Sequence, residues 1–412
     1  MKNYFFIALA LSVMSCSNTI TDNDSYENLP DAEPIALTLP EKATSDNRFA
    51  LDLFLSTCKF APKTENVFIS PLSVSMALSM TLNDARGETA HEMLTSLHQE
   101  DYSIDDINEH NRALRNALLK VDPSTELSIA NSIWYKTGFP VLYQFIQTNV
   151  QNYDAEVKDL DFTKPTAVEQ INGWCAQKTK NKIPEIITEI PASAIMYLIN
   201  AVYFKGIWKM QFKESDTKKE TFYLSDNTTV KANMMRLSAI FNFTADDIAG
   251  YLELPYGNQA FSMIIALPNA DKTIDDITSN LNSHYWNTII GNLSGCKINL
   301  QLPRFKTECK YKMKEEKILP DMGMNIPFGA SADFSGICTT QPLNINEVIH
   351  KTFVEVNEKG TEAAAVTAVE MDLTSGGQAA PINFTVNKPF IFAIRERSTG
   401  VILFIGKIEK VI

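Results

Sequence analysis

The sequence predicts one large mixed α+β domain, because segments with a helical period come first and segments with strand patterns follow. Residues 48–60 place apolar side chains at helical spacing, and residues 72–82 form a second, strongly apolar helix. Two more helical stretches cover residues 88–97 and 107–121. Strand patterns occupy residues 127–134, 194–204, 261–267, 297–302, 353–356, 390–394 and 401–408. With no internal repeat and no break in composition, we expect a single domain over residues 46–412.

Length and charge limit the classes of function. A chain of 412 residues with 45% apolar composition can bury a large core. Its 37 basic and 49 acidic residues give a formal net charge of −12. We find no cluster of lysine and arginine that would bind a polyanion. We therefore expect neither nucleic acid nor a heparin-type cofactor as a partner.

The N-terminus has the features of an export signal. Residues 1–3 form a short basic stretch. The apolar run of residues 4–14 that follows is too short to span a bilayer but fits the hydrophobic region of a secretory signal. Cys16 follows closely and resembles the lipobox cysteine of bacterial lipoproteins, which becomes the lipidated first residue. The alternative is an ordinary signal peptide with a coincidental cysteine. We expect residues 1–15 to be removed and Cys16 to carry a lipid.

Residues 16–45 are predicted to form a flexible tether between that lipid and the domain. This stretch is polar and acidic and contains Pro30, Pro34 and Pro40. The expected location is the bacterial cell envelope, on the periplasmic or the outer face of the outer membrane, or the extracellular space.

Cysteines and catalytic motifs do not indicate an enzyme. Five cysteines follow Cys16 at irregular spacing, which fits neither a disulfide framework nor a zinc site, so we expect most of them to be buried. The sequence has no Gly-x-Ser-x-Gly elbow, no Walker loop, no dinucleotide fingerprint and no zinc-protease motif. Nothing singles out a catalytic Cys/His pair among the five histidines. We expect no catalysis, no cofactor and no metal.

Residues 358–377 form an unusual alternating segment. One face is uncharged, small at its start and larger at its end: Thr361, Ala363, Ala365, Thr367, Val369, Met371 and Leu373. The other face carries the three acids that follow Gly360, and no proline lies between Gly360 and Gly377. The pattern is typical of a half-buried strand whose first half enters a tight space. The alanine-rich start also favours a helix, and pattern alone fits an ordinary surface loop or a permanent strand equally well.

Four segments, in order along the chain, resemble conserved motifs of the serpin family: residues 68–73, 200–208, 355–365 and 384–394. The resemblance covers essentially everything from residue 46 onward. It implies three β-sheets, about eight or nine helices and an exposed reactive-centre loop.

The resemblance also implies a mechanism. A target protease attacks the loop and forms an acyl-enzyme, and the cut loop then inserts into the central sheet and deforms the protease before hydrolysis. Serpin loop insertion is itself an established example of strand addition and conformational switching. The implied function is suicide inhibition of serine, or cysteine, proteases by a monomer. The alternative is a non-inhibitory carrier or chaperone, but such members tend to have charged, bulky or proline residues at the buried hinge positions, and this hinge has none.

Site residues follow from the same resemblance. The hinge comprises Gly360, Thr361, Glu362, Ala363, Ala364 and Ala365. A hydrogen-bonded shutter beneath the central sheet comprises Ser70, Ser73, Asn200 and His350. A breach at the top of the sheet comprises Glu358, which is expected to pair with Arg304, and Trp208.

Counting from Gly360 predicts that the bond between Thr374 and Ser375 is cut. The short, neutral threonine would favour elastase-like or subtilisin-like targets with modest S1 pockets. A shift of one residue would place Leu373 before the cut and favour chymotrypsin-like enzymes. Met371 and Glu370 are more remote choices, because an earlier cut shortens the inserting strand.

Overall fold

The computed structural model describes residues 29–361 and 380–411. The predicted signal peptide and Cys16 lie outside the described residues, and so do Glu362, Ala363, Ala364, Ala365, Thr374 and Ser375.

Nine α-helices lie within this part of the chain. They are α1 Lys42–Phe60, α2 Pro71–Leu82, α3 Gly87–Ser96, α4 Ile104–Leu118, α5 Tyr143–Tyr153, α6 Thr166–Lys178, α7 Ile274–Asn280, α8 Ser283–Asn292 and α9 Ile318–Asp321. All four predicted helices are present, although α1 begins six residues before its predicted start. Lys42 and Asp46 extend α1 because their buried side chains form an ion pair at i,i+4 spacing. Among the described helices, none has the length and apolar character needed to cross a membrane.

Fifteen strands complete the fold. They are β1 Val67–Ile69, β2 Glu126–Lys136, β3 Glu156–Leu160, β4 Met196–Ile207, β5 Lys218–Tyr223, β6 Thr229–Ala245, β7 Ala249–Pro255, β8 Phe261–Pro268, β9 Ser294–Pro303, β10 Phe305–Lys312, β11 Ile349–Asn357, β12 Gly360–Thr361, β13 Ile382–Thr385, β14 Phe390–Glu396 and β15 Ile402–Ile408. The predicted strands all appear, most of them extended by a few residues, and the predicted α+β class is confirmed.

One sheet has nine strands in the order β1-β15-β14-β8-β7-β6-β9-β13, with β5 also paired to β6. The long strand β6 pairs with β5 over residues 229–234, with β9 over residues 234–243 and with β7 over residues 242–245. The nine-stranded sheet therefore combines two of the three expected sheets. One is the group β1, β15, β14, β8 and β7, the other is the group β5, β9 and β13, and β6 connects them.

The second sheet has six strands in the order β10-β11-β12-β4-β2-β3. Its middle strand, β12, is only two residues long and is antiparallel to both neighbours. Below β12, the long strands β4 and β11 are parallel to each other, and among the described residues no ladder joins them. The sheet therefore contains an open seam between β4 and β11.

Two apolar cores cover the two faces of this sheet. The larger core lies between the sheets and includes most of α1 and α2. The smaller one lies under α6 and includes Trp134, Ile171 and Trp174. Along β4, Phe204 belongs to the larger core and Ala201 to the smaller one. Alternate side chains of β4 thus face opposite sides of the sheet, as strand geometry requires.

The described cysteines form no disulfide. Cys175, Cys309 and Cys338 are buried, as predicted, whereas Cys58 and Cys296 are half-buried. Burial raises the pKa of Cys58 and of Cys175 to about 12, which keeps these thiols protonated and unreactive.

The N-terminal segment differs from its prediction as a tether reaching residue 45. Residues from 42 onward belong to α1. Ala32, Ile35 and Leu37 pack against the larger core, so this part of the chain is held on the domain.

Candidate functional site

The seam between β4 and β11 is closed at its upper end by the start of the predicted hinge. Thr361 pairs with Val356 of β11 and with Gly206 of β4, and Gly360 pairs one step further up each strand. Gly360 has a φ of +152°, and a Cβ atom there would lie 2.0 Å from the carbonyl oxygen of Gly206. Only glycine fits this position, because both the backbone angle and the close approach exclude a side chain.

Thr361 is anchored by a tyrosine that the sequence did not single out. Its side chain is 2% exposed, and its hydroxyl lies 2.6 Å from the hydroxyl of Tyr256. The Tyr256 ring stacks on Trp208 with a centroid distance of 4.4 Å and an interplanar angle of 12°. Burial raises the pKa of Tyr256, so this hydroxyl stays neutral and can share a hydrogen bond with Thr361.

Trp208, which the family resemblance assigned to the breach, directly follows β4, whose last residue pairs with Gly360. Its indole Nε1 donates to the carbonyl oxygen of Asn357 at 3.0 Å, and its backbone N–H donates to the carbonyl oxygen of Lys359 at 2.9 Å. Trp208 and Tyr256 together form a seat for the hinge.

Glu358 pairs with Arg304 as the resemblance implies. The Nε and Nη2 atoms of Arg304 lie 2.8 and 2.6 Å from Oε1 of Glu358, and the Thr217 hydroxyl donates to the same oxygen at 2.5 Å. Burial alone would raise the pKa of Glu358, but these hydrogen bonds outweigh burial and lower it below its usual value. The carboxylate therefore ties the turn after β11 to the start of β10.

The structure links the predicted shutter residues through α2. Ser70 accepts from the backbone N–H of Ser73 at 3.3 Å, and its own backbone N–H donates to Nε2 of His350 at 2.9 Å. The Ser73 hydroxyl donates to the carbonyl oxygen of Asn200 at 3.4 Å. Burial lowers the pKa of His350 to about 3, so the imidazole is neutral and can accept this hydrogen bond.

Asn200 has a further partner that the sequence did not indicate. Its Nδ2 donates to Oδ1 of Asn131 on β2 at 2.6 Å. Its own Oδ1 is buried without a hydrogen-bond partner among the described residues. Because β4 and β11 are parallel, six steps down from Gly206 and Val356 bring Asn200 and His350 to the same level on the two sides of the seam.

The seam is narrow above the shutter and wide below it. The upper part, next to Val202, Phe204 and Val354, encloses only about 10 Å³. The lower part encloses about 270 Å³. Its lining is mainly apolar and includes Leu78, Met196, Leu198, Phe334, Ile345 and Val348.

Comparison with known proteins identifies this architecture. A model of the family described as serpin (serine protease inhibitor) matches residues 44–411. The chain belongs to the serpin family. The predicted serpin fold is thereby confirmed.

Individual relatives match this serpin over nearly its whole length. The leukocyte elastase inhibitor of Xenopus tropicalis is 36% identical over 372 residues, which cover 87% of this chain and 96% of the relative. The crystal structure of the thermophilic serpin tengpin in its native state is 30% identical, with a TM-score of 0.83, and the match covers 94% of this chain and 98% of tengpin. Human thyroxine-binding globulin in complex with its hormone is 26% identical, also with a TM-score of 0.83, over 91% of this chain and all of that protein.

Proposed function

We propose that this serpin is an irreversible, loop-inserting inhibitor of serine proteases, with elastase-like or subtilisin-like enzymes as its targets. One observation carries the proposal. Gly360 and Thr361 already form the first pairs of a middle strand, and the seam directly below them is open. A cut loop can therefore lengthen an existing strand and does not have to start a new one.

The register of β12 determines where each further loop residue would lie. Each step along the loop pairs one residue lower on β4 and on β11. Ala363 then meets Phe204 and Val354, and Thr367 meets Asn200 and His350. The remaining apolar side chains of this face, Val369, Met371 and Leu373, follow below the shutter.

Side-chain size in the loop matches the width of the seam. The small residues Ala363 and Ala365 would enter the narrow upper part. The hydroxyl of Thr367 would reach the level of the Asn200 Oδ1 atom, which has no partner among the described residues. The large residues Val369 to Leu373 would reach the 270 Å³ cavity.

Magnitudes indicate which contribution drives insertion. New ladder hydrogen bonds contribute roughly 0.5–1.5 kcal/mol each, and ordering each residue costs a comparable ~1–2 kcal/mol. These two effects nearly cancel. Burying each large apolar side chain contributes about 1.5–3 kcal/mol, so filling the lower cavity supplies the net gain.

The proposed reaction uses the target's own chemistry. The protease serine attacks the carbonyl carbon of Thr374, an ester forms, and the amine of Ser375 leaves with the proton that the protease histidine returns. Insertion by ~3.3 Å per residue over 12 steps from Thr361 to Leu373 would move the attached protease by roughly 40 Å. The similarity to a leukocyte elastase inhibitor supports the choice of elastase-like targets.

The test is a gel assay with pancreatic elastase. We expect a band that survives boiling in SDS and runs at the mass of elastase plus the chain up to Thr374, because the peptide from Ser375 onward is no longer covalently attached. Thr361→Arg places a charge against the buried Tyr256 hydroxyl, so this variant should be cut without trapping. Thr288→Arg, on the exposed face of α8, is the matched control and should trap normally.

A carrier function is the alternative, and it predicts a different result. Thyroxine-binding globulin shares this fold and binds a small molecule. The gel separates the two functions: cleavage that leaves elastase fully active and uncoupled would reject inhibition. The uncharged, small hinge face favours the inhibitor.

We also propose that the mature protein is exported and anchored in a bacterial envelope through a lipid on Cys16. The support is the order of basic, apolar and cysteine residues at the N-terminus. Cys16→Ser should move the protein from the detergent phase to the aqueous phase in Triton X-114 partitioning. Protease shaving of intact cells would show which face of the membrane it occupies.

A further inference from the structure

The segment of residues 31–37, here called the strap, lies across two turns of the nine-stranded sheet. Asp31 accepts hydrogen bonds from Nζ of Lys209 at 3.1 Å and from the side-chain amide of Gln259. The backbone N–H of Ala32 donates to the carbonyl oxygen of Asn258 at 2.9 Å. Further along, the backbone N–H of Ile35 donates to the Ser398 hydroxyl at 2.9 Å.

The strap is therefore hydrogen-bonded to residues that lie one to three positions after Trp208 and Tyr256, the two residues of the hinge seat. Lys209 comes directly after Trp208, and the turn of Asn258 and Gln259 begins two residues after Tyr256. The two segments are also bonded to each other. The backbone N–H of Lys209 donates to Pro255 at 2.9 Å, and Gly257 donates to Ile207 at 2.8 Å.

A continuous set of contacts thus leads from the strap to the hinge. Asp31 holds Lys209, whose neighbour Trp208 donates through its backbone to Lys359 at 2.9 Å. The turn that Ala32 holds is continuous with Tyr256, whose hydroxyl lies 2.6 Å from that of Thr361. The strap has no direct contact with the hinge among the hydrogen bonds and ion pairs of the described chain.

We propose that the strap braces the hinge seat and thereby raises the fraction of cut loops that insert before the acyl-enzyme is hydrolysed. This inference rests on the inhibitory function proposed above. Asp31, Ile35 and Leu37 are positioning residues in this scheme, because they act through Trp208 and Tyr256.

The physical reason is competition between two rates. After cleavage, the loop either continues along the seam or stays outside while water hydrolyses the ester. A seat held rigid on both sides keeps Gly360 and Thr361 in register, so the next residues add directly to an ordered end. If the seat becomes less rigid, the first step of insertion slows, and a larger fraction of the acyl-enzyme is hydrolysed before the loop inserts.

The apolar contacts of the strap matter more than its ion pair. Asp31 is 73% exposed at its side chain, and an exposed pair of this kind contributes little by itself. Ala32, Ile35 and Leu37 pack against the core and hold the segment in place. The decisive variant therefore introduces charge at Ile35 and Leu37.

The experiment compares two double variants of the full chain. Ile35→Asp with Leu37→Asp places two carboxylates against the core and detaches the strap. Ala36→Asp with Thr38→Asp adds the same charge at exposed positions and serves as the control. The readout is the number of inhibitor molecules consumed per elastase molecule trapped.

We expect the first variant to raise this number between about twofold and thirtyfold, the range in which residues acting through others alter a coupled process. The control should match the parent protein. Equal values for both variants would overturn the inference. If the parent protein itself forms no covalent complex with elastase, the proposed inhibitory function fails. If the parent protein traps elastase but both double variants do so equally well, only the role of the strap fails.

Two further measurements separate bracing from a general loss of stability. In a Tyr256→Phe background the strap variant should have a smaller effect than in the parent, because both changes weaken the same seat. Amide hydrogen exchange over residues 356–361 should accelerate in the strap variant without any protease present. Full additivity with Tyr256→Phe, together with unchanged exchange, would overturn the inference.

Discussion

The hydroxyl groups of Tyr256 and Thr361 lie 2.6 Å apart, and both side chains are buried, at 0% and 2% exposure. Thr361 belongs to the predicted hinge and is the last described residue before the part of the predicted reactive-centre loop that begins at residue 362. The contact therefore shows that the sheet already holds the first residues of the strand that insertion would extend.

Replacing Tyr256 with phenylalanine should destabilise this arrangement. The change leaves the Thr361 hydroxyl buried without a partner, which costs about 1–3 kcal/mol. Urea unfolding should show this as a lower free energy of unfolding. Tyr223→Phe at a side chain that is 50% exposed is the control, and an equal loss in both variants would contradict the role of the contact.

Gly360→Ala should displace the hinge from its seat. The added Cβ would lie 2.0 Å from a backbone oxygen of β4, and the φ angle is one that alanine rarely adopts. Amide exchange at residues 360–361 should approach that of an unpaired loop. Gly291→Ala meets no atom within 4 Å and should leave exchange at the hinge unchanged; retained protection in Gly360→Ala would refute the model of a seated hinge.

His350 should make stability depend on pH in the acidic range below about 6.5. Its pKa falls from a usual 6.5 to about 3 through burial, so between these values the unfolded chain binds the proton and the native protein does not. Stability is then fully present above pH 6.5 and falls as the pH drops towards 3. At pH 5 the loss is about 2 kcal/mol relative to pH 7.5.

Comparing variants isolates this effect. His350→Gln can still accept from the Ser70 N–H and should show less loss of stability between pH 7.5 and 5 than the parent protein. His284→Gln, at an exposed position on α8, should behave like the parent. A parent-like pH profile in His350→Gln would show that another group is responsible.

Filling the lower cavity should separate stability from inhibition. Ala77 lines the cavity, and a leucine there would bury apolar atoms worth up to about 2 kcal/mol. We expect a more stable native protein that is cut by elastase as a substrate, because Met371 and Leu373 lose their space. Ala113→Leu on α4 is the control; undiminished trapping in Ala77→Leu would contradict the cavity's role.

Local patterns predicted four of the nine described helices and seven of the fifteen described strands, and few of the long-range contacts. Periodicity located those eleven elements, and the family resemblance implied the pairing of Glu358 with Arg304. Tyr256 could not be found in this way, because its partner Thr361 lies 105 residues away and no local spacing marks either hydroxyl.

The strap and the joined sheets escaped prediction for related reasons. The composition of residues 16–45 favours a flexible segment, but Ile35 and Leu37 find apolar partners from distant parts of the chain. Similarly, no strand was predicted over β6, and its pairing with β5, β7 and β9 shows that this one strand belongs to two sheets. Contacts of this kind depend on tertiary packing, which a local pattern does not encode.

The most direct test of loop insertion is the mass of the products formed with elastase. Loop insertion should give a covalent complex that holds the chain up to Thr374 and, once denatured, releases one peptide beginning at Ser375. An SDS-resistant complex with that peptide in equal amount would support both the trap and the bond. Cleavage at Thr374 with no covalent complex, and with elastase fully active, would show that the loop does not trap the protease.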